Sequence, residues 1–467
     1  MNYRYQQLAD ELVEQIYAGL YRAGERLPGV RSLSEQRGVS VATAVAAYRQ
    51  LEDKGFLDVR DRSGFYVRPW AQTRSIDTPV ETSATGPCEI SGQELAMAMI
   101  KAANEPGILQ LGAAVPEVRF LPTRDVERAI GRVLREQRHT VANYMMPPGA
   151  PELRRQIARR LAEAGCQLSP HEVVITNGCQ EALMLALRAV TQAGDTVAIE
   201  SPAFYGLWHV LESLNLKAVE IPSHPERGIS VDTLGFALDR WPIKACVLVP
   251  NFSNPIGYCM SDPHKRTLID LLDARGVTLI EDDVYGDLGF QVRRPSLCKG
   301  LSPNSDIISC GSFSKTLSPG MRVGWILGGR HHRRIEQLKY VSSIATASLP
   351  QLAVADLLES GRYERYLREI RLTYASAVAR MSEAITRYFP AETRMTQPQG
   401  GFVLWVELPE DVDSIDLAQR ALQKGVSIAP GPLFSATGKY RHFMRISCAR
   451  QWDERLEQGL KALASLL

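Results

Sequence analysis

Short apolar runs alternate with helix-period segments between residues 172 and 314, and that order admits few folds. EVVIT, DTVAIE, KACVLVP, VTLIED and DIISCGSFS each end at polar or Gly-rich turns. Runs of this length read as buried strands, and helices between them cover the faces of the sheet they make. The pattern predicts an α/β domain built on a mostly parallel sheet. Beyond about residue 345 the spacing changes to long helices with a few strands, GGFVLWVEL and HFMRISCA among them. That change predicts a separate, smaller α+β lobe.

The first 68 residues follow another plan. Leu8, Leu12, Val13 and Ile16 recur at helical spacing, and Gly19 ends the pattern. A second short helix is predicted from about Val30 to Gln36, stopped by Gly38. Ser40 is a suitable N-cap for a third helix carrying Val41, Val45, Tyr48 and Leu51 on one face. GFLDVRDRSGFYV then reads as two strands around the turn Asp61–Gly64. Helix, helix, turn, helix and a β-wing predict a winged helix-turn-helix. Residues 69–89 lack either periodicity and are rich in Pro, Thr and Ser, so a linker of moderate reach is expected. The expected organisation is a DNA-binding module at 1–68, a linker at 69–89 and an α/β domain at 90–467. Within that domain the large part spans about 110–345, and the small lobe spans about 346–467 with part of 90–109.

A chain of 467 residues exceeds one ordinary core, in keeping with two or three domains. The net charge of +2 says little about partners, and residues 1–68 hold ten Lys/Arg against nine Asp/Glu. A nucleic-acid surface there must therefore gather its positive charge on one face. The eight cysteines form no C-x-x-C pair and keep no zinc-site spacing with histidine, so reduced thiols and no metal site are expected. MNYRYQQLADELVEQ has no apolar signal core, and no stretch approaches the roughly 18 apolar residues of a membrane span. A cytoplasmic protein without a membrane partner is expected.

In open α/β sheets, ligand-binding groups gather at the C-terminal ends of strands. The run from Ser309 to Trp325, SCGSFSKTLSPGMRVGW, puts Lys315 directly after an apolar strand among hydroxyls and glycines. A desolvated lysine has the lowered pKa that a Schiff-base amine requires. Ser312, Ser314 and Arg322 supply hydroxyl and guanidinium donors for a phosphate. Asp282, in LIEDDVY, stands where an acid can keep a pyridinium nitrogen protonated, although the same three acids are also compatible with Mg²⁺. Tyr285 and Asn254 are placed to donate to a ring phenolate oxygen. The helix start at Gly178, Cys179 and Gln180 offers backbone N–H groups for a phosphate, and Phe204 offers a ring to stack on a cofactor.

In this order and spacing, these runs resemble the fold-type I, class I/II aminotransferase family over about residues 90–467. The resemblance implies pyridoxal 5'-phosphate joined to Lys315, Asp282 at its pyridine nitrogen, and Tyr285 with Asn254 at its phenolate. It places Phe204 on the ring and Gly178, Cys179, Gln180, Ser312, Ser314 and Arg322 around the phosphate. Tyr144, in ANYMMPPG, matches a tyrosine that reaches the neighbouring subunit's phosphate, which implies a homodimer. Arg445, in FMRIS, matches the arginine that clamps a substrate α-carboxylate. Where the enzymes often carry paired glycines near the substrate, this chain has Ala113 and Ala114 after Gly112.

Residues 3–68 resemble GntR-type winged helix-turn-helix domains through LPGVRSLS, GVSVAT, AYRQLEDKGF and RSGFYV. That resemblance sets Arg31, Ser40, Thr43, Ser63 and Gly64 toward double-stranded DNA. Gly29 stands where the family usually has Ser, and Val41 where it commonly has Arg. Together the two parts resemble the MocR subfamily of regulators. The expected function is a ligand-responsive transcriptional regulator that senses an amino acid or amine through its cofactor. The alternative is a working aminotransferase with an appended DNA-binding arm.

Overall fold

The computed structural model describes residues 4–17, 20–21, 24–53, 56–60, 64–68, 75–76, 84, 86–90, 97, 101, 105–291 and 293–467. Gly19, Gly55, the turn residues Asp61, Arg62 and Ser63, and most of the expected linker lie outside them.

Three helices, α1 (Arg4–Tyr17), α2 (Val30–Arg37) and α3 (Val41–Asp53), pack with a hairpin of β1 (Leu57–Arg60) and β2 (Gly64–Val67). Leu8, Leu12 and Ile16 of α1, Leu33 of α2 and Ala44, Tyr48 and Leu51 of α3 form one buried cluster. α2 stops because Gly38 adopts the left-handed conformation, and its N–H returns to the carbonyls of Glu35 and Ser34. The Tyr48 hydroxyl donates to the Pro28 carbonyl at 2.6 Å, and its ring lies 4.5 Å from Phe65. One side chain thus ties α3 both to the turn before α2 and to the wing.

The large sheet has nine strands among the described residues. Its main members are β3 (Val173–Thr176), β4 (Thr196–Ser201), β5 (Lys217–His224), β6 (Ile243–Leu248), β7 (Thr278–Asp282), β8 (Ile307–Ser312) and β9 (Gly324–Leu327). The order across the sheet is Cys88–Glu89, β5, β4, β6, β7, β8, β9, β3, with Gly228–Ile229 paired to β5. β4 to β8 run parallel, while β9 is antiparallel to both β8 and β3. The reversal of β9 brings its start to the edge where the other strands end. Ser312, Gly324 and Thr176 are cross-strand neighbours there.

Two strands escape the sequence pattern. β5 interrupts its apolar run with Glu220 and Pro222, yet Glu220 is fully buried. Its carboxylate is fully provided for, by the hydroxyls of Ser201, Ser435 and Thr437 and the N–H groups of Ala436 and Thr437. β9 spans four residues directly after the polar stretch containing Lys315 and Arg322, so its period is too short to register.

Past the sheet, α4 (Ser348–Glu359) and α5 (Arg362–Tyr388) lead to a four-stranded sheet. Its strands run in the order Arg394–Met395, β10 (Val403–Glu407), β11 (Phe443–Ser447), Ala429–Pro430. Earlier in the chain, Leu109–Gln110 pairs with Val426–Ser427, carrying the segment before Gly112 onto this lobe.

Candidate functional site

Lys315, Asp282, Asn254, Gly178 and Arg322 all meet at one end of the large sheet. The strands deliver them there for a geometric reason: β3, β6, β7 and β8 end at that edge, and the reversed β9 begins at it.

The half-buried Lys315 donates from Nζ to the Ala114 carbonyl at 2.7 Å. Burial holds its ammonium down at about 8; Arg445 pushes the same way and Asp282 opposes. Asp282 is raised to about 6, first by burial, while bonds from Cys179 and the Val284 N–H work against the rise. The three acids of the Glu281–Asp283 run divide by their partners. Glu281 accepts from Ser309 and from the N–H groups of Cys298 and Lys299. Asp283 is paired with Arg294 and accepts from Asn251. Only Asp282 is left to the side of Lys315, and no acidic cluster able to hold a metal ion occurs among the described residues.

Tyr285 is buried and receives a hydrogen bond from Asn254 Nδ2 at 3.4 Å; burial pushes its phenol up. Arg445 is fully buried on β11. Its Nη1 donates to Asn254 Oδ1 at 2.8 Å, its Nη2 donates to the Gly112 carbonyl, and its Nε has no partner. The guanidinium lies 5.0 Å from the Phe434 ring and 5.6 Å from the Tyr205 ring. No carboxylate pairs with it among the described residues. A buried cation left so costs several kcal/mol by order of magnitude, and an arriving anion relieves that cost.

A second helix-terminal feature lies beside the lysine. The helix Cys179–Val190 opens at Gly178, which has φ +83° and supplies no side-chain cap. The positive φ favours glycine at Gly178, and a Cβ there would sit 2.5 Å from Arg322 Nη2 and push that guanidinium aside. Arg322 itself takes the left-handed conformation and donates to the Asn177 carbonyl at 2.8 Å and to Ser314 at 3.4 Å. The Ser312 and Ser314 hydroxyls lie 2.8 Å apart. Uncapped N–H groups, two hydroxyls and a guanidinium therefore face one small volume, a setting suited to a dianion.

The side chains of Cys179 and Gln180 are held within the fold, and that of Tyr144 stands at the surface. The Cys179 side chain donates its thiol to Asp282 Oδ1 at 3.1 Å, leaving only its backbone toward the helix start. Gln180 commits its amide to the Gly206 carbonyl at 2.8 Å. Tyr144 is 75% exposed and turned to solvent. Phe204 is half-buried, its ring 4.7 Å from that of Tyr205. Sequence reasoning missed Phe434 and Tyr205 beside Arg445 and the Asn177 carbonyl beside Arg322. Phe434 carries no local signal, since it approaches only through the fold. Asn177 lies inside a run that was noticed, but its contribution is a backbone atom.

In the N-terminal part, Arg31 is exposed at the start of α2. Ser40 Oγ accepts from the Thr43 N–H at 3.1 Å and lies 2.8 Å from the Thr43 hydroxyl, so it serves as the N-cap of α3. Gly64, with φ +115°, opens β2, and a Cβ there would meet Arg26 Nε at 3.0 Å. Ser63 lies outside the described residues. Arg26, unnoticed in the sequence, bridges to Tyr66 of the wing.

Comparison with known proteins agrees with this geometry. The model of the aminotransferase class I and II family matches residues 109–463, and that of the gntR family of bacterial regulatory proteins matches residues 4–67. The HTH-type transcriptional regulator YjiR of Escherichia coli (strain K12) is 38% identical over 460 residues, covering 98% of each chain. The 2-aminoadipate transaminase of Thermus thermophilus is 31% identical over 374 residues, which is 79% of this chain and 92% of that one. Among solved structures, LysN, the alpha-aminoadipate aminotransferase of Thermus thermophilus complexed with N-(5'-phosphopyridoxyl)-L-leucine, superposes with a TM-score of 0.72. It is 30% identical, with 80% of this chain and 97% of that chain covered.

Proposed function

The chain belongs to the aminotransferase class I and II family and is a transcriptional regulator with an N-terminal gntR-family domain; from that premise we propose that it senses an amino acid or amine through pyridoxal 5'-phosphate and reports the result to an operator DNA. The single observation that carries the reading is the buried Arg445, paired with no carboxylate among the described residues, beside the depressed Lys315.

The residues present fit that cofactor. Bound there, pyridoxal phosphate would supply an aldehyde that condenses with amines and a protonated ring that draws electrons from a neighbouring carbon. Lys315 is the amine to hold it, because its lowered pKa leaves a neutral, nucleophilic fraction near neutral pH. Asp282 would balance a ring N–H⁺, and Tyr285 with Asn254 would hold a ring oxygen. Phe204 supplies a stacking face. The phosphate is assigned to Arg322, Ser312, Ser314 and the N–H groups at Gly178, Cys179 and Gln180. With its Nζ free, Lys315 would be the base positioned to take a proton from a substrate Cα.

Arg445 orients an amino acid by its carboxylate. Asn254 Oδ1 and the Gly112 carbonyl hold the fork in place. The carbonyls of Gly112 and Ala114 thus bind Arg445 and Lys315 respectively, so one short segment touches both cations that the ligand and the cofactor would engage. That segment is the element through which occupancy is transmitted. A ligand shifts DNA binding only as far as its free energies in the two arrangements differ, commonly about 5- to 150-fold in affinity.

A homodimer accompanies this reading. Tyr144, Met146, Tyr340, Val341 and Ile344 are exposed, and Ser348 Oγ donates to the Asn143 carbonyl at 2.8 Å, joining the two stretches. Exposed apolar side chains gathered this way suit a subunit interface. Tyr144 would then serve the neighbouring site. On the nucleic-acid side, Arg31, Ser40, Thr43 and the wing at Ser63 and Gly64 are assigned to DNA.

A second reading, turnover as an aminotransferase, is favoured by the joint presence of Lys315, Asp282 and Arg445. One experiment separates the two. Duplexes recovered from a random-sequence pool by the full-length protein are titrated against apoprotein, cofactor-loaded protein, and loaded protein with each common amino acid or amine. An affinity change in at least one state is expected. Multiple-turnover transamination with the same DNA affinity in every state would overturn the sensor reading in favour of the enzyme.

A further inference from the structure

The outward face of α3 is apolar at the very place where a recognition helix meets base edges. It runs through Val41, which is 51% exposed, then Ala42, Val45, Ala46 and Arg49, all at least partly open to solvent. The other face, with Ala44, Ala47, Tyr48 and Leu51, is buried. A β-branched residue open to water on a first turn helps neither helix propensity nor packing. Thr43, the one polar side chain of that turn, is engaged with Ser40 through both its hydroxyl and its N–H. The first side chain on this face able to hydrogen-bond a base bidentately is Arg49, two turns from the helix start.

The module's arginines lie outside the first turns of the strip. Arg31 is exposed at the start of α2, Arg49 ends the strip, and Arg26 lies beside Gly64 at the wing. In the major groove the one apolar group offered by base edges is the thymine C5-methyl, and phosphates border it on both sides. An apolar strip that ends in an arginine matches that profile. A bidentate readout of guanine or adenine from this turn would instead need Arg, Lys, Asn or Gln there.

We infer that α3 reads its operator through thymine methyl groups, with Val41 as the specificity-determining contact. This rests on the reading that the N-terminal part binds DNA. Ala42, Val45 and Ala46 are short enough to let the helix approach the methyls, and the arginines hold the register on the backbone.

The test uses the full-length cofactor-loaded protein and duplexes selected from a random pool. Each selected duplex is resynthesised with uracil replacing thymine at one position at a time, which keeps base pairing and removes only the methyl. At one or two positions per half-site the affinity should fall about fourfold, as for one buried methyl. Val41→Ala should weaken the thymine duplex by a similar factor and no longer distinguish uracil at that position. Its salt dependence should not change, because the phosphate contacts are intact. Val41 is half open to water, so the variant keeps its core. Selected duplexes that tolerate uracil everywhere, or a Val41→Ala protein that still discriminates, overturn the inference while DNA reading stands. If no duplex is enriched, and Val41→Asp dissociates a complex of two copies in sedimentation, the strip is a self-association surface and the DNA reading fails with it.

Discussion

In the α/β domain the chemically active groups are withdrawn from water, whereas in the N-terminal module the groups available for recognition stand on the surface. Arg445 has no exposed area and Lys315 is half-buried, while Val41 is 51% exposed and Arg31 is open. The consequences differ in kind. Withdrawal from water lowers the lysine to about 8 and raises Asp282 to about 6, so the site's chemistry is made by its surroundings. On the module's surface, selectivity rests on shape and on where polarity has been left out. Changes in the first region should therefore act through charge, and changes in the second through contact area and helix capping.

The largest expected effect is total. Lys315→Ala should abolish the visible absorbance of the cofactor-loaded protein and its fixation by borohydride, with the circular-dichroism signal unchanged. Colour that survives the substitution would remove the lysine from its assigned role. Next, Arg445→Ala should weaken amino-acid binding about 100-fold, measured as the ligand-induced spectral change, since a charge-assisted pair is worth about 3 kcal/mol. Arg445→Lys should recover only part of this, because the fork is lost. Equal loss for amines lacking a carboxylate would show that the arginine supports structure instead.

The pH profile follows from the lowered lysine. Only the neutral amine attacks an aldehyde, so cofactor uptake by apoprotein should rise about tenfold per pH unit below about 8 and level off above it. A profile still climbing steeply at pH 9 would mean that Lys315 keeps the ordinary value. In the opposite direction, Asp282 gains a proton as pH falls through about 6 and loses its ability to balance a ring N–H⁺, so cofactor affinity should drop there. The smallest effect concerns the module. Ser40→Ala removes the cap of α3 and should destabilise residues 4–67 by about 1 kcal/mol while leaving the cofactor absorbance untouched. A matching loss of cofactor would show that the two regions do not fold independently.

Much of the fold was legible because strands ending in turns and helices with caps carry local periods. All five anticipated strands of the large sheet formed within one or two residues of the expected places. β5 was hidden because Glu220 looks like a surface residue until Ser201, Ser435, Ala436 and Thr437 arrive from elsewhere to satisfy it. Among the Glu281–Asp283 acids, the sequence offered three equivalent carboxylates. Arg294 and the Cys298 N–H claim two of them, and only packing reveals which.

Residue order by itself determined the two-part architecture, the lysine after β8, and the capped helix preceding a wing. These depend on interactions within a few residues or on a repeating hydrophobic period, which a linear string records. Tertiary structure decided the partners across the sheet edge: the Gly112 and Ala114 carbonyls on the two cations, Phe434 against Arg445, Cys179 on Asp282, and the apolar face left outside when Tyr48 turned inward. Burial and pairing between separate segments depend on chain closure, and no local period encodes which group will arrive.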